Sequence, residues 1–391
     1  MIKKQNVCVK VVGLGSLGLR LVDKLAAIGF PATQFLLLDT DCQELQRCQL
    51  AEKIQLGKTI RRGWGCSGDV GEGARCVRAA RDRIATKLIG SDLVVIVAGM
   101  GGGMGGGGAA VVAEIAAECG ALVVVMVTEP LDLEGRKEEA QLSLQRLLQV
   151  ADTVVRIPNQ GVMEEQCKSS TVHECFEASN NHMLESLMGF GRLMLPDGML
   201  NIDFSHIRSI LGDQHGMSAL VNVGVTGDAR VRALVKTIMK HPFLGAGRYL
   251  RETKGLVISL IGDESLSMDE VQEFVDHIKV TAPLAQLALG VYIDESAINC
   301  VSAMVMFPYS EMDLPEYEMD ERAGNNLLDS QLNRVITRGK LPSGAVDHVF
   351  AQQQLPLVPI SKGCFDKGEP NLYDGKDLDI PTFLRRNTIL I

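Results

Sequence analysis

Three glycine-rich segments carry the strongest chemical signal in this sequence. The first is Gly13-Leu14-Gly15-Ser16-Leu17-Gly18, the second runs from Gly63 to Gly71, and the third is Gly99-Met100-Gly101-Gly102-Gly103-Met104-Gly105-Gly106-Gly107-Gly108. Without an intervening Cβ, backbone N–H groups can gather around phosphate oxygens. A helix that starts at such a loop adds the positive end of its dipole. The first segment fits the G-x-G-x-x-G pattern, and Asp39, about twenty residues on, stands where a dinucleotide fold holds the ribose hydroxyls. That pattern alone admits an NAD-dependent oxidoreductase. A dinucleotide fold needs one such loop, whereas three at successive strand ends describe a cradle for a triphosphate. The Walker pattern fails: Gly57-Lys58-Thr59 has the right ending, but Glu52 stands where its first glycine is required.

Composition agrees. The chain has 391 residues, enough for about two to three domains. It holds 40 glycines, where average usage gives about 27. Sixteen lie in segments 13–18, 63–73 and 99–108, more than the whole surplus. Aromatics at 4% suit an α/β nucleotide-binding protein better than a β-sandwich, and 46% hydrophobic residues can build a large core. The net charge of −9 argues against nucleic-acid or anionic-membrane binding. Ten cysteines contain no C-x-x-C pair, and Cys167, His173 and Cys175 match no zinc spacing. They read as reduced cysteines of a cytoplasmic protein, with no metal ligands among them. Residues 93–113 are uncharged and long enough to cross a bilayer. Eight glycines make a strand, a loop and a helix start the better reading.

The elements that must position these loops alternate. Strands are expected at Val7–Val12, Phe35–Leu38, Leu93–Val97, Leu122–Val127 and Thr153–Ile157. Helices are expected at Leu17–Ile28, Glu72–Ile89, Gly107–Cys119 and Glu134–Val150. That order predicts a parallel sheet with helices on both faces. A long helix from about Thr171 to Leu195 ends at Pro196-Asp197-Gly198. Strands near Leu220–Val225, Gly255–Ile261, Ala288–Ile293 and Cys300–Phe307 then predict a smaller α+β domain. Beyond Phe307 an acidic cluster from Glu311 to Glu321 reads as a solvated linker. Leu378-Asp379-Ile380-Pro381-Thr382-Phe383-Leu384-Arg385-Arg386 joins apolar anchors to a basic pair, as in a partner-docking peptide.

Ala98-Gly99-Met100-Gly101-Gly102-Gly103-Met104-Gly105-Gly106-Gly107 resembles the AGM-GGGTGTG signature of the tubulin/FtsZ GTPases. Asp39-Thr40-Asp41, Thr128-Glu129-Pro130 with Glu134-Gly135-Arg136-Lys137, Ile157-Pro158-Asn159, Phe176 with Asn180, Asn201-Ile202-Asp203-Phe204 and the tail are similar too. The resemblance runs from about Val9 to Phe307 and resumes at the tail. It implies a tubulin/FtsZ-like α/β fold: a Rossmann-like GTP-binding domain (1–170), a central helix and catalytic-loop connection (171–204), an α+β domain (205–307), a flexible linker (308–376) and a docking peptide (377–391).

The resemblance also implies roles. Gly13, Gly15, Ser16, Gly18, Gly102, Gly103 and Gly105 match the phosphate loops, and Asp41 is grouped with the nucleotide contacts. Glu134 matches the acid on the ribose, and Asn159 and Asn180 match contacts to the base. GTP or GDP, with Mg2+, is the implied ligand. Hydrolysis is implied to be completed in trans, when the loop carrying Asn201 and Asp203 enters the next subunit's site. Asp203 is equally suited to cap the helix that follows.

Several residues depart from the family pattern. Met104 and Gly106 replace two signature threonines, each lost hydroxyl costing about 1 kcal/mol or somewhat more. Arg20 replaces an asparagine and offers its charge to phosphate. Glu138 replaces a basic residue. Asn181 replaces the aspartate that reads guanine, which weakens base preference. His206 replaces a catalytic carboxylate; protonated beside a triphosphate, it would donate to phosphate rather than act as a base. It equally suits a solvated helix start. Met104, Trp64 and Cys66 also read as packing residues, and the loop at 63–71 is shorter than usual.

The expectation is therefore a bacterial, cytoplasmic GTP-binding filament protein of the division ring at midcell. It would polymerise with itself, co-assemble with another family member, and dock FtsA- or ZipA-type membrane tethers through Leu378–Arg386. It would neither enter the membrane nor bind nucleic acid. The alternatives are a weakly hydrolysing structural or regulatory paralogue and, remotely, the oxidoreductase.

Overall fold

The computed structural model describes residues 7–30, 33–50, 52–159, 171–194, 198–241, 248–295, 297–309, 372–373 and 376–377. The chain divides into two compact units, Met1–Glu318 and Met319–Ile391.

The first unit begins with β1 (Val9–Leu14), α1 (Gly15–Ala27), β2 (Thr33–Asp39), α2 (Cys42–Arg47), β3 (Lys53–Gln55) and α3 (Lys58–Arg61). α4 (Val70–Arg78), α5 (Arg81–Leu88), β4 (Leu93–Gly99), α6 (Gly103–Glu118), β5 (Leu122–Glu129), α7 (Lys137–Leu148) and β6 (Thr153–Pro158) follow. The central helix α8 (Val172–Arg192) leads to α9 (Phe204–Leu211), β7 (Gly216–Thr226), α10 (Arg230–Lys240), α11 (Arg248–Glu252), β8 (Gly255–Gly262), α12 (Met268–Thr281), β9 (Gln286–Ile293) and β10 (Cys300–Tyr309). In the second unit, β11 (Leu372–Tyr373) pairs antiparallel with β12 (Lys376–Asp377). The acidic cluster at 311–321 and the peptide Leu378–Arg386 lie outside the described residues.

One ten-stranded sheet, ordered β3-β2-β1-β4-β5-β6-β7-β10-β8-β9, runs through the first unit. β1 to β6 are parallel, and β6 continues into β7 through Thr153↔Gly216, Val154↔Met217 and Val155↔Ser218. The segments expected as two separate domains thus share a sheet. The central strands β4 and β5 read as near-continuous apolar runs because helices cover both faces. Alternate residues divide between two cores: Val94, Ile96 and Ala98 pack on one face, and Leu93, Val95 and Val97 on the other. The uncharged run at 93–113 becomes β4, a turn and most of α6. Among the described residues no helix is long and apolar enough to cross a membrane.

Two helix expectations change. The run Glu72–Ile89 is two helices, α4 and α5, parted at Ala79-Ala80, where Ala80 leaves helical geometry (φ −110°, ψ 12°). Alanine is the best helix former, so nothing local announces this break. Both pieces pack on α6. α6 itself begins at Gly103 rather than Gly107. Glycines on both α4 and α6 serve close helix contact. A Cβ on Gly73 would lie 2.0 Å from the Gly103 carbonyl oxygen, and one on Gly107 would lie 1.9 Å from that of Val70. α4 and α6 can approach this closely only without side chains there.

α8 starts in a capping box. Thr171 N–H donates to Glu174 Oε2 at 2.7 Å, and Glu174 N–H donates to Thr171 Oγ1 at 3.3 Å. Its 21 residues span ~31 Å, the depth of a small domain.

Candidate functional site

The carboxyl ends of β1, β2, β4, β5 and β6 open into a cleft of about 390 Å3. Strand order reverses between β1 and β4, where an open α/β sheet leaves a crevice. Gly15 and Ser16 line the cleft from the turn after β1, and Gly102, Gly103, Met104 and Gly105 from the turn after β4. Asp39 and Asp41 come from the end of β2, Glu134 and Arg136 from beyond β5, and Asn159 from beyond β6.

α1 and α6 both start at this cleft, and neither has a side-chain cap at its N-terminus. Their first N–H groups are therefore available to an anion. Gly13 and Gly18 do not line the cleft. A Cβ on Gly18 would fall 2.2 Å from Val97 O, and one on Gly13 would fall 2.5 Å from Gly18 O. These two glycines let α1 sit tightly over β1 and β4, which aims its N-terminus. Gly106 faces Ser143 of α7, whose Oγ would lie 2.8 Å from an added Cβ. Met104 is buried in the core beside the cleft wall.

The far end of the cleft is built differently. Phe176, Ser179 and Asn180 project from the first turns of α8, and Asn159 meets them. Phe176 keeps 39% of its surface exposed, the one aromatic ring in the cleft lining. Loops rich in N–H donors at one end and a planar apolar surface at the other fit a nucleotide. Glu134 Oε1 accepts a hydrogen bond from the Leu131 N–H at 2.9 Å, which holds the turn after β5 in place.

Residues 8–166 match the model of the "Tubulin/FtsZ family, GTPase domain". Those residues form a tubulin/FtsZ-family GTPase domain. The whole chain is 29% identical over 387 residues to the "Cell division protein FtsZ" of Coxiella burnetii, covering 98% of this chain and 97% of that protein. A solved FtsZ dimer from M. jannaschii is 28% identical with a TM-score of 0.75, covering 80% of this chain and 91% of that one. CetZ2 from Haloferax volcanii, at 19% identity and a TM-score of 0.66, shares the fold, covering 83% of this chain and all of its own. The chain is accordingly FtsZ-like, and the GTPase-domain match over residues 8–166 implies a guanine nucleotide as its ligand.

The GTPase domain carries an unusual acid in its cleft. Asp39 is 3% exposed, and its Oδ1 accepts the N–H groups of Thr40 at 2.6 Å and Asp41 at 3.2 Å. Burial nevertheless pushes its carboxyl from 3.8 up to about 6, and the Asp41 and Glu44 carboxylates raise it further against those two N–H bonds. A native pKa above the unfolded one means that the folded state holds the extra proton. Stability therefore falls as pH rises from about 4 to about 6 and stays low above that. Asp39→Asn keeps the acceptor and removes the charge. It is expected to flatten this slope and raise stability of the nucleotide-free protein at pH 7.5 by about 3 kcal/mol. Thermal melts from pH 4 to 8 check this; parallel profiles for the two proteins contradict it.

Other residues nominated from sequence lie elsewhere. Arg20 is largely exposed and faces Glu44 at 3.5 Å in a neighbouring groove, so a phosphate contact would require breaking that pair. Asn181 is exposed and outside the cleft lining, whereas Asn180 is within it. Trp64 is 73% exposed rather than packed. Gly63 and Gly65 flank it, and Arg61 Nε donates to Gly65 O at 3.1 Å, which pins the loop with the indole outward. Cys66 is buried against Thr40 Oγ1 at 3.5 Å.

Asn201, Asp203 and His206 are exposed and outside the cleft lining. Asn201 Oδ1 accepts the Gly198 N–H at 3.0 Å. Asp203 caps α9 by accepting the Ser205 N–H at 2.9 Å, and His206 lies in the first turn of that helix. The antiparallel bridge Leu200↔Val291 ties this loop to β9. Sequence reasoning did not nominate Thr128, Arg136 or Ser179 as site residues, though all line the cleft. Ser179 could have been found from its spacing of three after Phe176, which places both on one helix face.

Proposed function

We propose that this protein binds GTP and assembles head-to-tail into filaments, with hydrolysis completed where one subunit's Asn201–His206 segment meets the next subunit's cleft. The carrying observation is a separation within one chain. Phe176 lies at the cleft, and ~24 Å of α8 separates it from Arg192, beyond which the acidic loop begins. A carboxylate at that end cannot serve its own cleft, but it can serve a neighbour's. An interface of two different faces extends into a filament instead of closing as a dimer. Neither subunit then holds a whole catalytic site, so assembly and hydrolysis are coupled.

Within the cleft, the uncapped starts of α1 and α6 would bind phosphate oxygens, Glu134 the ribose, and Phe176 with Asn159 and Asn180 the base. Four carboxylates, Asp39, Asp41, Glu129 and Glu134, line the same cleft against the one guanidinium of Arg136. Mg2+ arriving with the nucleotide would neutralise phosphate charge there. The relative named for cell division supports a place at the bacterial division ring, with Leu378–Arg386 docking a membrane-tethering partner of the FtsA or ZipA type.

A second reading, a slowly hydrolysing paralogue that co-assembles with another FtsZ, draws on His206 and Met104. An imidazole stands where the family has a second carboxylate, and a thioether stands where it has a hydroxyl. His206→Asp is expected to raise phosphate release at saturating GTP by about tenfold or more. No gain would overturn the slow-hydrolysis reading. Pelleting and electron microscopy with GTP, a non-hydrolysable analogue and ATP test the main proposal. Filaments dependent on guanine nucleotide, with phosphate release that rises with assembly, support it. Filaments with both GTP and the analogue but negligible release favour the paralogue. Tight NADH binding without GTP binding would revive the oxidoreductase.

A further inference from the structure

Ser179 is buried in the cleft wall (4% exposed), and its hydroxyl donates to Oδ1 of Asn159, itself only 8% exposed. The two residues come from different elements, α8 and the end of β6, and both line the base end of the cleft. An amide side chain presents a carbonyl acceptor on one side and an NH2 donor on the other, and its partners decide which way it faces. In the orientation found here the Ser179 hydroxyl donates to Oδ1, which leaves the Nδ2 hydrogens for the cleft. Resting on the reading of this cleft as a guanine-nucleotide site, the geometry points to Ser179 as a positioning residue that fixes the Asn159 amide with its NH2 toward the nucleobase, so that the site selects a base carrying a hydrogen-bond acceptor there. Asn180, one residue on, lacks this restraint in the hydrogen bonds of the cleft, so Asn159 is the more rigid reader. A rigid amide discriminates because a base without the matching acceptor leaves a buried donor unpaired.

The test is titration calorimetry of the full-length protein with GTP and three analogues that delete its base acceptors in turn: 3-deaza-GTP, 7-deaza-GTP and 2-aminopurine riboside triphosphate. The wild type is expected to bind at least one analogue about fivefold more weakly than GTP, the effect of one neutral hydrogen bond. Ser179→Ala should bind GTP itself more weakly by a similar factor and show no further loss with that analogue, while Ser179→Thr, which keeps the hydroxyl, restores the discrimination. Asn159→Asp, which lacks the NH2, should lose the same discrimination from the other half of the pair. A merely structural role would lower all four affinities together and leave their ratios unchanged. Wild-type ratios in Ser179→Ala, or an Asn159→Asp protein that still discriminates, overturn the inference while leaving the nucleotide site intact. A wild type that binds no GTP overturns the reading of the cleft itself, before any variant is made.

Discussion

Asp203→Asn is expected to lower GTP hydrolysis by at least ~100-fold, the range seen when a positioned acid–base group is removed. It should leave GTP affinity of the isolated subunit within about twofold, because distant sites without shared partners act independently. The choice of asparagine matters. Asp203 caps α9 through the Ser205 N–H, and alanine would cost about 1 kcal/mol of helix stability in addition to any catalytic loss. Asparagine caps as well as aspartate and removes only the charge. Phosphate release and calorimetric GTP affinity, measured on one preparation, separate the cases. Wild-type hydrolysis would remove Asp203 from the chemistry. A large loss of GTP affinity would mean that the loop acts on its own cleft, against the length of α8. A second check mixes Asp203→Asn with a variant unable to bind nucleotide. Random head-to-tail assembly of equal amounts gives about a quarter of interfaces with both halves intact, so activity should return on mixing. Two inactive proteins that stay inactive together would argue against completion in trans.

Gly107→Ala is expected to destabilise the protein by about 3 kcal/mol, the upper part of the range for forcing atoms into a filled core. Helix propensity alone gives the opposite sign, since alanine in a helix interior is favoured over glycine by about 1 kcal/mol. The packing term decides, because the added Cβ would lie 1.9 Å from a backbone oxygen of α4 that no side-chain rotation can move. Gly29→Ala is the comparison. Its φ of 82° strains any L-residue, but nothing lies within 4 Å, so about 1 kcal/mol is expected from conformation alone. Urea denaturation midpoints of the three proteins test this. A Gly107→Ala protein as stable as wild type would mean that α4 and α6 are not held in this contact. Since α6 opens the third glycine loop, the destabilised protein should also bind GTP more weakly.

The strands and the cleft-forming loops were legible in the sequence because their signals are local. Three unbroken apolar runs, Phe35–Leu38, Leu93–Val97 and Leu122–Val127, alternating with helical patterns, point to buried parallel strands, and glycine at strand ends leaves backbone N–H groups exposed to a ligand. The central helix was legible from its long helical pattern and the stop at Pro196-Asp197-Gly198, while its Thr171–Glu174 capping box came only with the structure. Less legible was what each glycine does. Gly15, Gly102, Gly103 and Gly105 line the cleft, whereas Gly73, Gly106 and Gly107 fill a helix contact. Composition treats these alike, because closeness of two backbones is a property of pairs distant in sequence. The break at Ala79-Ala80, the outward Trp64 and the Arg20–Glu44 pair were hidden for the same reason.

An α/β nucleotide fold was readable from the chain alone, since strand–helix alternation and phosphate loops are written in neighbouring residues, and the Ala98–Gly107 segment added the resemblance to the tubulin/FtsZ GTPases. Only the tertiary structure decided which residues share the cleft and which stand a helix length away from it. Asn201, Asp203 and His206 carry the right chemistry for a catalytic loop, but no spacing in the chain tells whose nucleotide they face. Their absence from the cleft lining, beyond the ~24 Å of α8 that runs from Phe176 to Arg192, is a property of the folded chain that no short motif contains.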